Sequence, residues 1–140
     1  MPTSGKKIRY AVVAGGQISQ QAFMPGIKQT NNSELTALVT GDPVKADKLA
    51  GLYGVKAWSY EEYDELLKSG EIDAVYVATP NFLHAPFAVA ALEAGIHVLL
   101  EKPMASSVEE AEQILAGQKK SGAKLMIAYR LHHEPGNVEL

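Results

Sequence analysis

Short apolar runs recur along the whole chain, each followed by a turn signal and then a helical stretch, and this alternation restricts the fold more than any other feature. The runs are Ile8 to Ala14, Leu35 to Val39, Ala74 to Ala78, Ile96 to Leu100 and Leu125 to Ala128, with a brief one at Lys56 to Trp58. They are nearly continuous, as expected of strands buried on both faces. Helices are predicted between them over Gln17 to Gln29, Val44 to Tyr53, Tyr60 to Lys68, Phe82 to Glu93 and Val108 to Lys120. Pro25-Gly26 should end or distort the first. Gly54 and Gly95 fit helix C-termini, Ser107 an N-cap, and Ser59 with Glu62 a capping box. Strand–helix alternation of this kind predicts an α/β fold, a doubly wound parallel sheet of about six strands with helices on both faces.

At 140 residues, 46% of them hydrophobic, the chain suffices for one domain with a real core. Its formal net charge of −3 gives no electrostatic case for nucleic acid or an anionic membrane. It has no cysteine, which excludes disulfides, thiolate metal sites and cysteine nucleophiles. The opening residues lack the apolar core of a signal peptide, and no apolar run approaches ~20 residues. A cytoplasmic domain is expected.

In an open parallel sheet, ligands bind where the strands end. Glu101-Lys102-Pro103 follows the fifth run, where a lysine makes sense if its ammonium faces a cleft beside an acid and a substrate hydroxyl. Proline there removes a backbone donor and can take a cis peptide. The first strand-to-helix turn is Ala14-Gly15-Gly16-Gln17-Ile18-Ser19. Against G-x-G-x-x-G, only Gly16 keeps its register; Ala14 and Ser19 stand where the first and third glycines belong. After the second strand, Thr40 occupies the place where an acid would bind the ribose of NAD. Thr40, the Gly41 amide and Lys45 suit a 2′-phosphate instead. Asp42 either faces the cofactor or opens the Asp42-Pro43 turn and caps the next helix. Thr79, Pro80, Asn81 and His84 end the fourth strand. Pro80 suits an edge against a flat ring, and Asn81 offers a donor and an acceptor or an N-cap. His84 either faces the cleft or satisfies the helix terminus.

Other conspicuous residues read as structural. His97 suits a satisfied core position, and Glu109, Glu110 and Glu112 suit a solvated first helical turn. Trp58, Tyr60 and Tyr63 read as packing residues. His132 and His133 complete no ligand pattern, so no metal site is expected.

Taken together, Ala14 to Ser19, Thr40-Gly41-Asp42, Pro80-Asn81-Phe82-Leu83-His84 and Glu101-Lys102-Pro103-Met104-Ala105 resemble the Gfo/Idh/MocA family (glucose-fructose oxidoreductase, inositol dehydrogenase, MocA), specifically its N-terminal NAD(P)-binding Rossmann domain. Ala128-Tyr129-Arg130 with His132 and Pro135 resembles the linker into that family's second domain. The resemblance implies hydride transfer between NADP, favoured over NAD, and a sugar, polyol or related hydroxy or keto compound. It further implies that Lys102 hydrogen-bonds the reacting oxygen and that Pro103 follows a cis peptide beside the nicotinamide. Glu101, Asn81, His84 and Arg130 would line the nicotinamide end, and the parent enzyme would be a homo-oligomer.

On this reading residues 1–128 form the cofactor domain. Residues 129–140 are a truncated linker and the start of a helix at Pro135, leading to an absent α+β substrate domain. The chain alone should then bind cofactor without efficient turnover. The competing reading is a stand-alone, non-catalytic NAD(P) sensor or partner-binding module. A flavodoxin-like regulator is disfavoured, because its strand ends would not need Lys102 beside Pro103.

Overall fold

The computed structural model describes residues 6–129 and 133–138. Each apolar run becomes a strand: β1 (Ile8–Val13), β2 (Ser33–Val39), β3 (Lys56–Trp58), β4 (Ala74–Val77), β5 (His97–Leu100) and β6 (Leu125–Ile127). All neighbours pair in parallel, in the order β3-β2-β1-β4-β5-β6. This is the Rossmann arrangement, with the order reversing between β1 and β4.

Strand side chains alternate between the faces. One set (Ala11, Val13, Val39, Val75, Val77, Val98, Leu100) packs with α3 (Tyr63–Lys68), α4 (His84–Glu93) and α5 (Val108–Ser121). The other set (Val12, Leu38, Tyr76) meets Met24 of α1, whose α-helical turn is Met24–Ile27, and Leu49 of α2 (Pro43–Tyr53). Among the described residues no helix is long and apolar enough to cross a membrane.

Local signals set most boundaries. Gly54 ends α2 with φ +66°, and the Ser107 hydroxyl accepts the Glu110 amide at the start of α5. Two expectations are corrected, and the distortion expected at Pro25-Gly26 is found. The first helix does not stop at Pro25: α1 runs as a π-type turn (Ser19–Phe23) into an α-helical turn (Met24–Ile27). The predicted distortion is this π segment, which lets a residue without an amide hydrogen enter the helix. α3 begins at Tyr63, not Tyr60, because 60–62 form turns in which the Glu62 carboxylate accepts the Ser59 amide. Asn81 caps nothing; it opens a 3-10 turn (Asn81–Leu83) leading into α4. A short helix α6 (Pro135–Val138) begins at Pro135.

Arg9 of β1 and Asp73, just before β4, lock the register at the base of the sheet. The guanidinium donates to both carboxylate oxygens at 3.0 and 2.9 Å, and the Arg9 amide donates to the same carboxylate at 2.9 Å. The Arg9 side-chain hydrogen bond, aided by the backbone amide, holds the Asp73 carboxyl at about 2 against its ordinary 3.8. The folded value lies below the unfolded one, so the stabilisation is complete above about pH 4 and fades as pH falls toward 2. The pair is partly solvated and is worth about 1 kcal/mol after screening. Asp73→Asn is therefore expected to lower the melting temperature at pH 7 by about 3–4 °C. The variant should also lose less stability than the parent between pH 4 and 2, followed by circular dichroism melts across that range.

Candidate functional site

At the C-terminal edge of the sheet lies an open cleft of about 900 Å³. It gathers Ile18 from the first turn, Ala78, Thr79, Asn81 and His84 after β4, Glu101 and Lys102 after β5, and Ala128 and Tyr129 after β6. Four strand ends separated by long stretches of sequence thus converge at the switch point of the sheet, where α/β proteins bind ligands.

Beside the cleft, the first turn carries Gly15, Gly16 and Gln17. A methyl group on Gly15 would lie 3.1 Å from the Leu49 side chain, so this glycine serves packing against α2. A methyl on Gly16 would meet no protein atom within 4 Å. The two adjacent glycines therefore have different tasks, and only Gly16 opens its surface to a ligand.

After β2, Thr40 is buried, with its amide bound to Trp58 O and its hydroxyl accepting the Asp42 amide at 3.2 Å. The threonine keeps its hydroxyl hydrogen available for an acceptor. Asp42 Oδ1 accepts the amides of Val44 and Lys45 at 2.9 and 3.3 Å, so this oxygen is committed to capping α2. Lys45 is exposed in the first turn of that helix. Gly41 lies under Tyr60; an added methyl would sit 3.0 Å from that ring. Tyr60, read from sequence as packing, forms one wall at this end, and burial raises its phenol above the ordinary value.

The fourth and fifth strand ends are tied together by His84, which is almost completely buried. Its Nε2 lies 2.9 Å from Thr79 O and its Nδ1 2.8 Å from Pro103 O. Both ring nitrogens face backbone carbonyls; a neutral imidazole has one N–H and donates to one of the two at a time, bracing the cleft from behind. Among the described residues the buried Thr79 hydroxyl has no hydrogen-bond partner, an uncommon state for a buried polar atom. Asn81, Pro80 and Pro103 are exposed, and the Lys102-Pro103 peptide is cis.

The acid of the triplet does not pair with the lysine. Glu101 accepts from the Tyr76 hydroxyl at 2.7 Å and from the Lys102 amide at 3.2 Å. Among the described residues the one ion pair is Arg9–Asp73. Lys102 is exposed and borders the cleft. Tyr76 was missed from sequence; its signal was a hydroxyl inside the otherwise aliphatic run Ala74 to Ala78. Arg130 and His132 lie outside the described residues. Among the described residues no group of three or more acids and histidines is placed to hold a metal ion. His97 instead accepts the Lys124 amide through Nδ1 at 2.9 Å.

Strand order, an open glycine at the first turn and a polar cleft at the switch point define a dinucleotide-binding Rossmann domain. Residues 8–129 match the family described as "Oxidoreductase family, NAD-binding Rossmann fold", and the chain belongs to this Gfo/Idh/MocA family. D-xylose 1-dehydrogenase [NADP(+)] of Haloarcula marismortui is 38% identical over 130 residues, 91% of this chain and 36% of that protein. The scyllo-inositol 2-dehydrogenase (NADP(+)) of Bacillus subtilis is 32% identical over 133 residues, 95% of this chain and 40% of that protein. The crystal structure of aldose-aldose oxidoreductase from Caulobacter crescentus superposes with a TM-score of 0.91 at 40% identity, covering 96% of this chain and 41% of that one. The 3-ketoreductase KijD10 of Actinomadura kijaniata, solved with NADP, gives 0.88 at 30% identity, with 96% and 41% covered. The chain spans about two fifths of the length of these relatives.

The bracing role of His84 is open to direct measurement. His84→Leu keeps the bulk but leaves the carbonyl that the imidazole N–H satisfies without its donor, an expected loss of about 1–3 kcal/mol. An unchanged urea midpoint would show that this bond does not support the fold.

Proposed function

We propose that this chain is the cofactor-binding part of an NADP-preferring oxidoreductase acting on a sugar, polyol or related hydroxy or keto compound. The observation that carries this reading is the convergence of Thr79, Asn81, Glu101 and Lys102 in one cleft beside the open surface of Gly16. The residues present fit a dinucleotide: a glycine with room for close approach, and a buried hydroxyl at the cleft without a partner among the described residues. The relatives named above with NADP point the same way.

Gly16, Gln17 and Ile18 would hold the pyrophosphate, where the amides at a helix start favour an anion. Thr40 and the Gly41 amide would donate to a 2′-phosphate, and Lys45 would approach it as a point charge. With the Asp42 cap accepting two amides, one of its oxygens is already turned toward α2. Thr79, Pro80, Asn81 and Pro103 would border the nicotinamide end, with His84 and Glu101 holding those loops in place. The bound cofactor supplies the hydride acceptor or donor. Lys102 carries an ammonium at the mouth of the cleft, where it can hydrogen-bond a substrate oxygen and stabilise negative charge developing on it. Substrate positioning supplies much of an enzyme's advantage. Because the chain covers two fifths of its relatives, turnover by this chain alone is expected to be poor.

Calorimetric titration with NADPH and NADH tests the proposal. NADPH should bind more tightly, and Lys45→Ala should reduce that preference about three- to tenfold. Gly16→Ala should weaken binding while leaving the melting temperature nearly unchanged, because the added methyl meets no protein atom within 4 Å. Failure of both nucleotides to bind, or tighter binding of NADH, would overturn the assignment.

A further inference from the structure

Ala14 has φ +81°, the one described non-glycine residue in the left-handed region. An L side chain persists there only where its surroundings over-determine the backbone. Three bonds do so. The Ala14 amide donates to Val39 O at 2.8 Å. The fully buried Ser19 hydroxyl donates to Ala14 O at 2.7 Å, and the Gln20 side-chain amide donates to Gly15 O at 2.6 Å. The Gln20 backbone amide then takes Gly16 O at 3.0 Å. Three successive carbonyls are thus drawn back toward the first turn of α1.

Peptide units are planar and trans, so a carbonyl that points one way sends the next amide hydrogen the opposite way. Fixing the carbonyls of Ala14, Gly15 and Gly16 therefore aims the amides of Gly15, Gly16 and Gln17 away from the helix turn. Successive amides presented on one side form an anion-binding concavity. Gly16, in the middle, has open space where a side chain would project. The departures from the glycine fingerprint at Ala14 and Ser19 then belong together: Ser19 supplies the hydroxyl that holds the strained Ala14.

We infer that Ser19 and Gln20 are positioning residues for the cofactor's pyrophosphate, holding the Ala14–Gly16 carbonyls so that the following amides face the ligand. This rests on the cofactor reading above. The test uses the chain itself, titrated by calorimetry with NADPH and by NMR with adenosine 2′-monophosphate, which has the 2′-phosphate but no pyrophosphate. Ser19→Ala should weaken NADPH about five- to tenfold, the worth of one hydrogen bond, and adenosine 2′-monophosphate less than twofold. Adding Ala14→Gly, which removes the strain, should recover most of the loss. A role confined to folding would move both ligands together and would show no such recovery. Equal losses for the two ligands, or no loss of NADPH affinity, would overturn the inference. If Ser19→Ala fails to fold, Gln20→Ala, at a half-exposed position, carries the same comparison. Failure of the parent chain to bind NADPH would instead sink the cofactor reading, and this one with it.

Discussion

Parallel pairing is the constraint on which everything else here depends. Strands that all run the same way must be joined by crossovers, and the crossover helices cover the faces of the sheet. Every C-terminal strand end then falls at one edge, where backbone groups leave the ladder together and need new partners. With the order β3-β2-β1-β4-β5-β6, the crossovers depart to opposite sides between β1 and β4. No helix can cover the gap left there, and the cleft lies in that gap.

The polar side chains along this edge divide by what they touch. Ser19, Gln20, Asp42 and His84 all bond to backbone: turn carbonyls for the first two, helix amides for Asp42, and one of two facing loop carbonyls for His84. They answer the loss of ladder bonds where the strands stop. Asn81, Lys45 and Lys102 are exposed, and the buried Thr79 hydroxyl lacks a partner among the described residues. These backbone bonds thus hold the turns from which the outward groups project. That separation makes a precise site possible on loops, which are otherwise the most mobile part of such a fold.

Much of this was legible in sequence because its signals are local. Continuous apolar runs gave the strands, Gly54 and Ser107 gave helix ends, and the positions of Gly16, Thr40, Asn81 and Lys102 gave the edge. Contacts between distant residues were not legible. Arg9 meets Asp73 across 64 residues, and Tyr76 meets Glu101 across 25. Nothing in either segment alone names its partner. The π turn of α1 was visible only as a proline in the wrong place, and the stacking of Phe23, at its end, on Tyr76 at 4.0 Å was not visible at all. His84 left two readings open because its neighbours in sequence do not include Pro103, the residue that settles where Nδ1 goes.

The Tyr76–Glu101 bond changes how the Glu-Lys-Pro triplet works. An acid next to a lysine invites the picture of an ion pair, which would neutralise the ammonium before any substrate arrived. Here the phenol of Tyr76, itself fixed by Phe23, holds one carboxylate oxygen, and the Lys102 amide takes the other. Glu101 therefore orients the backbone at the turn, while the ammonium stays unpaired among the described residues. His84 grips the same turn one residue further on, through Pro103 O. Two partly buried contacts from opposite faces of the sheet thus hold the residues on either side of Lys102. On the proposed function, an ammonium outside any ion pair among the described residues would keep its electrostatic effect for an oxygen that becomes negative, which a pre-formed pair would have cancelled.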